Sequence, residues 1–195
     1  MKNSLSDSLA CYRGVIFDLD GTLVDLPIDW VGLSGALDDF WRGYGMDSNA
    51  LVAIGGPESI RETVSGRMLN GWFDVVRKFE LAAVSHAVCH EEARSLVYRC
   101  ADRGQLQAVC TPNLTETVED TLVLIDLKDT IETVVGGEHL LGRNSKPDGL
   151  KRILQSWRLE PREAAYVVNR SQNAALARQL GVQVFQIPTL QAIAA

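Results

Sequence analysis

The sequence has little of what export, zinc or nucleic-acid binding would require. Its four cysteines include no C-x-x-C pair, so we expect buried, reduced thiols. Its 19 basic residues are outnumbered by 25 acidic ones, giving a net charge of -6. A chain of this charge lacks the basic footprint that nucleic-acid phosphates bind, and we expect no nucleic-acid partner. A small anionic ligand still fits, because one Lys or Arg in a pocket is enough to bind it.

Long apolar runs are also missing. The longest, 121–127 and 164–168, are far shorter than the ~20 residues that cross a membrane. The first residues show neither a long apolar core nor a small-residue cleavage site. We therefore expect a cytoplasmic protein with no membrane partner, and the sequence gives no indication of its oligomeric state.

What remains is the composition of an ordinary globular protein. Hydrophobic residues make up 46% and charged residues 23% of the 195 residues. This length predicts one domain, or one domain that carries an insertion.

Strand and helix patterns alternate in the C-terminal half. Amphipathic segments begin near Asn113, a candidate N-cap, and near Pro147 and Ser171. Short apolar runs between them predict strands at 106–110, 134–135, 164–168 and 182–187. This alternation predicts an α/β fold with a doubly wound parallel sheet.

One predicted strand, at 14–20, lies far from the others in the chain. Residues 28–100 show helical spacing of apolar residues and no strand signal of any length. We therefore predict a Rossmann-like core of residues 12–24 and 104–190, with an α-helical cap inserted at 25–103.

Residues that carry chemistry follow the predicted strands. The first strand ends in the run DLDGTLVD, which begins at Asp18, and Thr111-Pro-Asn follows the second. Lys146 precedes a predicted helix, and Asn169 and Asn173 follow the strand at 164–168. Because parallel strands deliver their carboxyl ends to one edge of a sheet, we expect these side chains to share a cleft.

In this order and spacing the motifs resemble those of the haloacid dehalogenase-like hydrolases. They are most similar to capped phosphatases and phosphomutases of the phosphoglycolate phosphatase-like and β-phosphoglucomutase-like branches. The resemblance covers about residues 12–188, and its first motif is highly specific. The segment between Asp20 and Thr111 has a length that suits a helical cap.

The resemblance implies a role for each motif. Asp18 would attack a phosphoryl group, and Asp20 would act as general acid and base, because residues two apart on a strand point to the same side. Lys146 would supply positive charge. We expect five residues to bind the substrate: Gly21, Thr22, Thr111, Pro112 and Asn113.

The family also implies a Mg²⁺ ion, and here the sequence departs from the pattern. The ion would be held by the side chain of Asp18, the carbonyl of Asp20 and an acid of a fourth motif, Gly-Asp-x-x-x-Asp. That motif has Asn169 and Asn173 in place of both acids, with Arg170 beside them. Because Mg²⁺ prefers carboxylate oxygens, we expect Asn169 to be a weak ligand and Asn173 a weak outer contact, with Mg²⁺ affinity lowered by about ten- to a thousandfold.

Two functions remain open. The first is a phosphatase that acts on a small phosphorylated metabolite through an aspartyl-phosphate intermediate. The second is a catalytically impaired protein that keeps the pocket for binding or regulation. A dehalogenase fits poorly, because the dehalogenases of this superfamily lack the second aspartate and Asp20 is present.

Overall fold

The computed structural model describes residues 5–46, 66–140 and 145–187. Short 3₁₀ turns at Gly137–His139 and Pro161–Glu163 accompany the main elements. The helices and strands of the described part are, in chain order, α1 Leu5–Leu9, β1 Gly14–Phe17, β2 Val24–Asp25, α2 Trp30–Gly43, α3 Gly66–Val84, β3 Val88–Cys89, α4 Glu91–Asp102, β4 Leu106–Cys110, α5 Thr115–Leu124, β5 Thr133–Val135, α6 Ser145–Trp157, β6 Ala164–Val168, α7 Ser171–Gln179 and β7 Gln183–Gln186.

Five of these strands form one sheet in the order β5-β4-β1-β6-β7, and all four pairings are parallel. The central strands β1 and β6 are buried along their whole length, as expected for a parallel sheet covered on both faces. The predicted Rossmann-like α/β fold is thereby confirmed.

The order of the strands determines where a ligand can bind. From β1 the chain first adds β4 and β5 on one side, and then β6 and β7 on the other. A crevice therefore opens beside the carboxyl end of β1, which is where open α/β sheets bind their ligands.

Alternate residues of β1 belong to the two apolar layers of the core. Val15 and Phe17 pack into the layer that contains Val118 of α5. Ile16 points to the opposite face and packs into the layer that contains Leu150 of α6. This period of two fixes the direction of each side chain at the end of the strand.

The segment between β2 and β4 supplies the helices that lie over the crevice. Helix α2 packs against α3, and α3 packs against α5. Helix α4, inside the range 25–103, packs instead against β4 and α1. The division into core and cap stays a prediction.

A two-stranded antiparallel pair joins the two ends of this segment. Val24 of β2 pairs with Cys89 of β3. Residues 28–100 show no strand signal, yet β3 lies among them. Its pairing partner is far away in the chain, and a local pattern contains no information about such a contact.

The expectation of buried, reduced cysteines is met only in part. All four are free, and Cys100 and Cys110 are buried, but Cys11 is exposed. None of the helices in the described ranges is long and apolar enough to cross a membrane.

Candidate active site

Asp18 and Lys146 form a buried ion pair at the carboxyl end of β1. Lys146 Nζ lies 3.1 Å from Asp18 Oδ1, and the two side chains are each 5% exposed. The same Nζ donates to Cys110 O at 2.6 Å and lies 5.6 Å from the centroid of the Tyr166 ring. Burial raises the pKa of the Cys110 thiol to about 11, so this sulfur stays protonated at neutral pH. The charged groups beside it are therefore Asp18 and Lys146.

Asp20 lies beside this pair and is less deeply buried. Its Oδ1 accepts a hydrogen bond from Leu26 N at 2.9 Å, and its Oδ2 lies 3.4 Å from the Arg170 guanidinium. Burial raises the pKa of Asp20, against the smaller opposing effects of the Leu26 N–H and of Arg170. A carboxyl group with a raised pKa keeps its proton more readily, which suits a general acid.

A chain of hydrogen bonds connects the loop after β4 to the overlying helix α3. Thr111 Oγ1 donates to Asn113 Oδ1 at 2.9 Å, and Asn113 Nδ2 donates to Glu80 Oε1 at 3.1 Å. Glu80 Oε2 accepts from Leu114 N at 2.8 Å. Glu80 thus holds the loop in place from above, and burial raises its pKa.

These contacts also correct the expected start of α5. The N-cap is Leu114 rather than Asn113. The Asn113 side chain hydrogen-bonds to Glu80 and Thr111 instead, and the Glu80 carboxylate accepts a hydrogen bond from Leu114 N. Glu80 of α3 thus caps a backbone N–H at the start of α5.

The amides of the fourth motif contact the first motif. Asn173 Nδ2 donates to Asp18 Oδ2 at 3.0 Å. Asn169 packs against Gly21, where an added Cβ would collide with its amide and where φ is +74°. Gly21 is thus required both for the turn and for this close packing. Asn169 Oδ1 is buried and has no hydrogen-bond partner among the described residues.

A cavity of about 560 Å³ lies above the ion pair, within the usual range for small-molecule sites. Its floor comes from the sheet edge and its upper wall from α2 and α3. It brings together most of the site residues predicted from the sequence: Asp18, Asp20, Thr111, Pro112, Asn113, Lys146 and Asn173.

Three predicted site residues do not line this cavity. Asn169 and Gly21 lie behind its floor, packed against each other. Thr22 is fully buried and lines a second cavity beside His90. The turn in which Thr22 N donates to Leu19 O carries it there. Their direct role in substrate or ion binding stays a prediction.

Glu80 is not among the site residues predicted from the sequence. Its position was visible in the pattern, because Glu80 falls on the buried face of α3 with Phe73, Val76 and Ala83. An acid on an apolar helix face needs partners from elsewhere in the fold, and here Asn113 and Leu114 supply them.

Around the expected Mg²⁺ position the described residues offer few charged ligands. Both oxygens of Asp18 already accept hydrogen bonds, from Lys146 and from Asn173. Arg170 places a positive charge beside Asp20. The fourth motif adds one neutral buried oxygen, on Asn169, and the described residues contain no group of three His, Cys, Asp or Glu side chains that could hold a metal. Two carboxylates, of Asp18 and Asp20, and two cations, of Lys146 and Arg170, thus lie together at this edge of the sheet.

The chain is similar to known proteins over most of its length. The family model for haloacid dehalogenase-like hydrolases matches residues 15–187. A phosphoglycolate phosphatase of Rhodospirillum rubrum is 30% identical over an alignment of 194 residues. The match covers 88% of this chain and 78% of that protein.

Solved structures show the same fold. A haloacid dehalogenase-like hydrolase of Streptococcus pneumoniae superposes with a TM-score of 0.60 at 20% identity, covering 90% of this chain and 84% of the other. The protein CbbY of Rhodobacter sphaeroides, solved in complex with phosphate, gives 0.63 at 15% identity and covers 91% and 86%.

Proposed function

The chain belongs to the haloacid dehalogenase-like hydrolase family, and we propose that it is a phosphatase that hydrolyses small phosphate monoesters through an aspartyl-phosphate on Asp18. The observation that carries this proposal is the buried Asp18–Lys146 pair on the floor of a cavity of about 560 Å³. A carboxylate held beside an ammonium at the tip of a strand suits attack on an anionic phosphoryl group.

The reaction divides into two steps. In the first, a carboxylate oxygen of Asp18 forms a bond to phosphorus while the ester P–O bond breaks, and Asp20 gives a proton to the leaving oxygen. In the second, Asp20 takes a proton from water as the water oxygen attacks the aspartyl-phosphate. Asp18 is then released as a carboxylate, together with inorganic phosphate.

Phosphatases of this family generally use Mg²⁺, but we infer a different balance of charge in this chain. Lys146 and Arg170 lie at the two carboxylates and can face the phosphoryl oxygens. Thr111 also lines the cavity, and its hydroxyl would donate to a phosphoryl oxygen by turning away from Asn113 Oδ1. Mg²⁺ would then bind weakly, because its charged ligands are fewer than the family pattern provides.

Phosphate release from a panel of small phosphate monoesters tests this proposal. We expect turnover of at least one compound, with less than about a tenfold difference between excess Mg²⁺ and excess EDTA. The two amides of the fourth motif favour one alternative, a binding or regulatory protein. Thermal stabilisation by members of the panel without any phosphate release would contradict the proposal and support that alternative.

Asn169→Asp is expected to raise Mg²⁺ affinity by about ten- to a thousandfold, which corresponds to ~1.4–4 kcal/mol. The reason is that Asn169 packs directly against Gly21, the residue that follows Asp20, so an added negative charge would lie close to the expected ion. Calorimetric titration of the two proteins with MgCl₂ measures the change. Asn70→Asp, on the exposed side of α3, adds the same charge away from the cavity and serves as control. Equal affinity of wild type and Asn169→Asp would show that position 169 does not face the ion.

A further inference from the structure

The upper wall of the cavity is apolar. It is contributed by α2 and α3, the two helices that lie over the crevice. Six of its side chains are aromatic or aliphatic: Trp30, Leu33, Leu37, Trp72, Phe73 and Val76. Two described residues of these helices add polar groups, Ser34 and Glu80. The part of a substrate that extends away from Asp18 would therefore meet mostly hydrocarbon.

The charges around the cavity disfavour a second anionic group on the substrate. Among the lining residues that the structure describes, the cations are Lys146, which is buried beside Asp18 at the floor, and Arg170, whose side chain is 63% exposed and lies 3.4 Å from Asp20 Oδ2. The charged residue on the wall is Glu80, an acid whose oxygens already accept hydrogen bonds from Asn113 and Leu114. A carboxylate on the leaving group would lose water against this wall without gaining a cation from the described residues, which is unfavourable.

We propose, on the premise that the protein is a phosphatase, that the cavity selects phosphate monoesters with an uncharged, apolar leaving group of aryl or arylalkyl type. It would disfavour monoesters with a carboxylate at that end, including the 2-phosphoglycolate for which the Rhodospirillum rubrum relative is named. An aromatic ring gains affinity by contact with the indole and phenyl rings of the wall. Discrimination by a hydrophobic pocket is expected to be about 10- to 200-fold.

Benzyl phosphate and 2-phosphoglycolate form a matched pair for the test. Both release a primary alcohol, and they differ in carrying a phenyl ring or a carboxylate next to the alcohol carbon. We expect kcat/KM to be at least about tenfold higher for benzyl phosphate. Equal values, or a preference for 2-phosphoglycolate, would overturn the inference.

Calorimetric binding of the same two compounds separates this inference from the proposed function. If neither is hydrolysed but benzyl phosphate binds at least about tenfold more tightly, the phosphatase proposal fails and the preference of the cavity stands. If neither is hydrolysed and both bind equally, or neither binds, both proposals fail.

A charge placed on the wall provides an independent test. Ser34→Arg introduces a cation on this wall, and we expect it to shift the ratio of kcat/KM values toward 2-phosphoglycolate by at least about fivefold. Val31→Arg carries the same charge on the same helix, at a residue that is 86% exposed and does not line the cavity. An unchanged ratio in Ser34→Arg, or an equal shift in Val31→Arg, would show that this wall does not face the leaving group.

Discussion

Asp18→Asn is expected to lower kcat/KM toward a generic aryl phosphate by at least about a thousandfold, because an amide does not form the aspartyl-phosphate. The substitution changes little in shape. The new amide oxygen can still accept from Lys146 Nζ, which donates to Asp18 Oδ1 in the structure. The new amide N–H₂ would face Asn173 Nδ2, and rotation of the Asn173 amide would turn its oxygen toward it.

Phosphate release by wild type and variant measures this effect, and circular dichroism confirms that both are folded. Asp102→Asn, at the exposed end of α4, removes one carboxylate away from the cavity and should keep wild-type activity. Unchanged activity in Asp18→Asn would place the reaction at another site or in a contaminant. That result would remove the basis for every role assigned around this cavity.

Part of the cavity floor could be predicted from the sequence because it depends on local signals. Short apolar runs that end in polar residues predict parallel strands, and parallel strands bring their carboxyl ends to one edge. Asp18 and Thr111 are brought together on this basis. Lys146 lies in a helix, and its position is expected from the order and spacing of the motifs that resemble the haloacid dehalogenase-like hydrolases; it meets Asp18 although the two are 128 residues apart.

The link between α3 and the loop after β4 could not be predicted in this way. The buried carboxylate of Glu80 accepts hydrogen bonds from Asn113 Nδ2 and Leu114 N, which lie in the loop after β4. Those partners are 33 and 34 residues further along the chain. Local spacing indicates that an acidic residue interrupts the apolar face of a helix, but it does not indicate which residues that acid contacts.

The same limit explains Thr22 and β3. The motif places Thr22 next to Asp18 and Asp20 in sequence, yet its carbonyl lies 3.1 Å from His90 Nδ1 and its side chain lines the second cavity. His90 follows β3, whose two residues form a strand because they pair with β2. Contacts of this kind depend on how distant segments pack, which periodicity does not encode.

Lys146→Met is expected to destabilise the fold by about 3–5 kcal/mol, because it leaves the carboxylate of Asp18 buried without its cation. Asp18 is 3% exposed and Lys146 is 4% exposed, so water does not replace the lost ammonium. The melting temperature should fall by roughly 6–20 °C. Activity at a temperature where the variant is folded should fall by about 10²–10³, because a preorganised charge at the phosphoryl group is missing.

Calorimetric melting of four proteins separates charge from packing: wild type, Lys146→Met, the double variant Asp18→Asn/Lys146→Met, and Lys151→Met as control. Lys151 lies on the same helix and its side chain is 53% exposed, so its loss should change the melting temperature by less than about 2 °C. The double variant removes both charges and should regain part of the stability that Lys146→Met loses. If it is no more stable than Lys146→Met, lost packing rather than the unpaired carboxylate causes the effect.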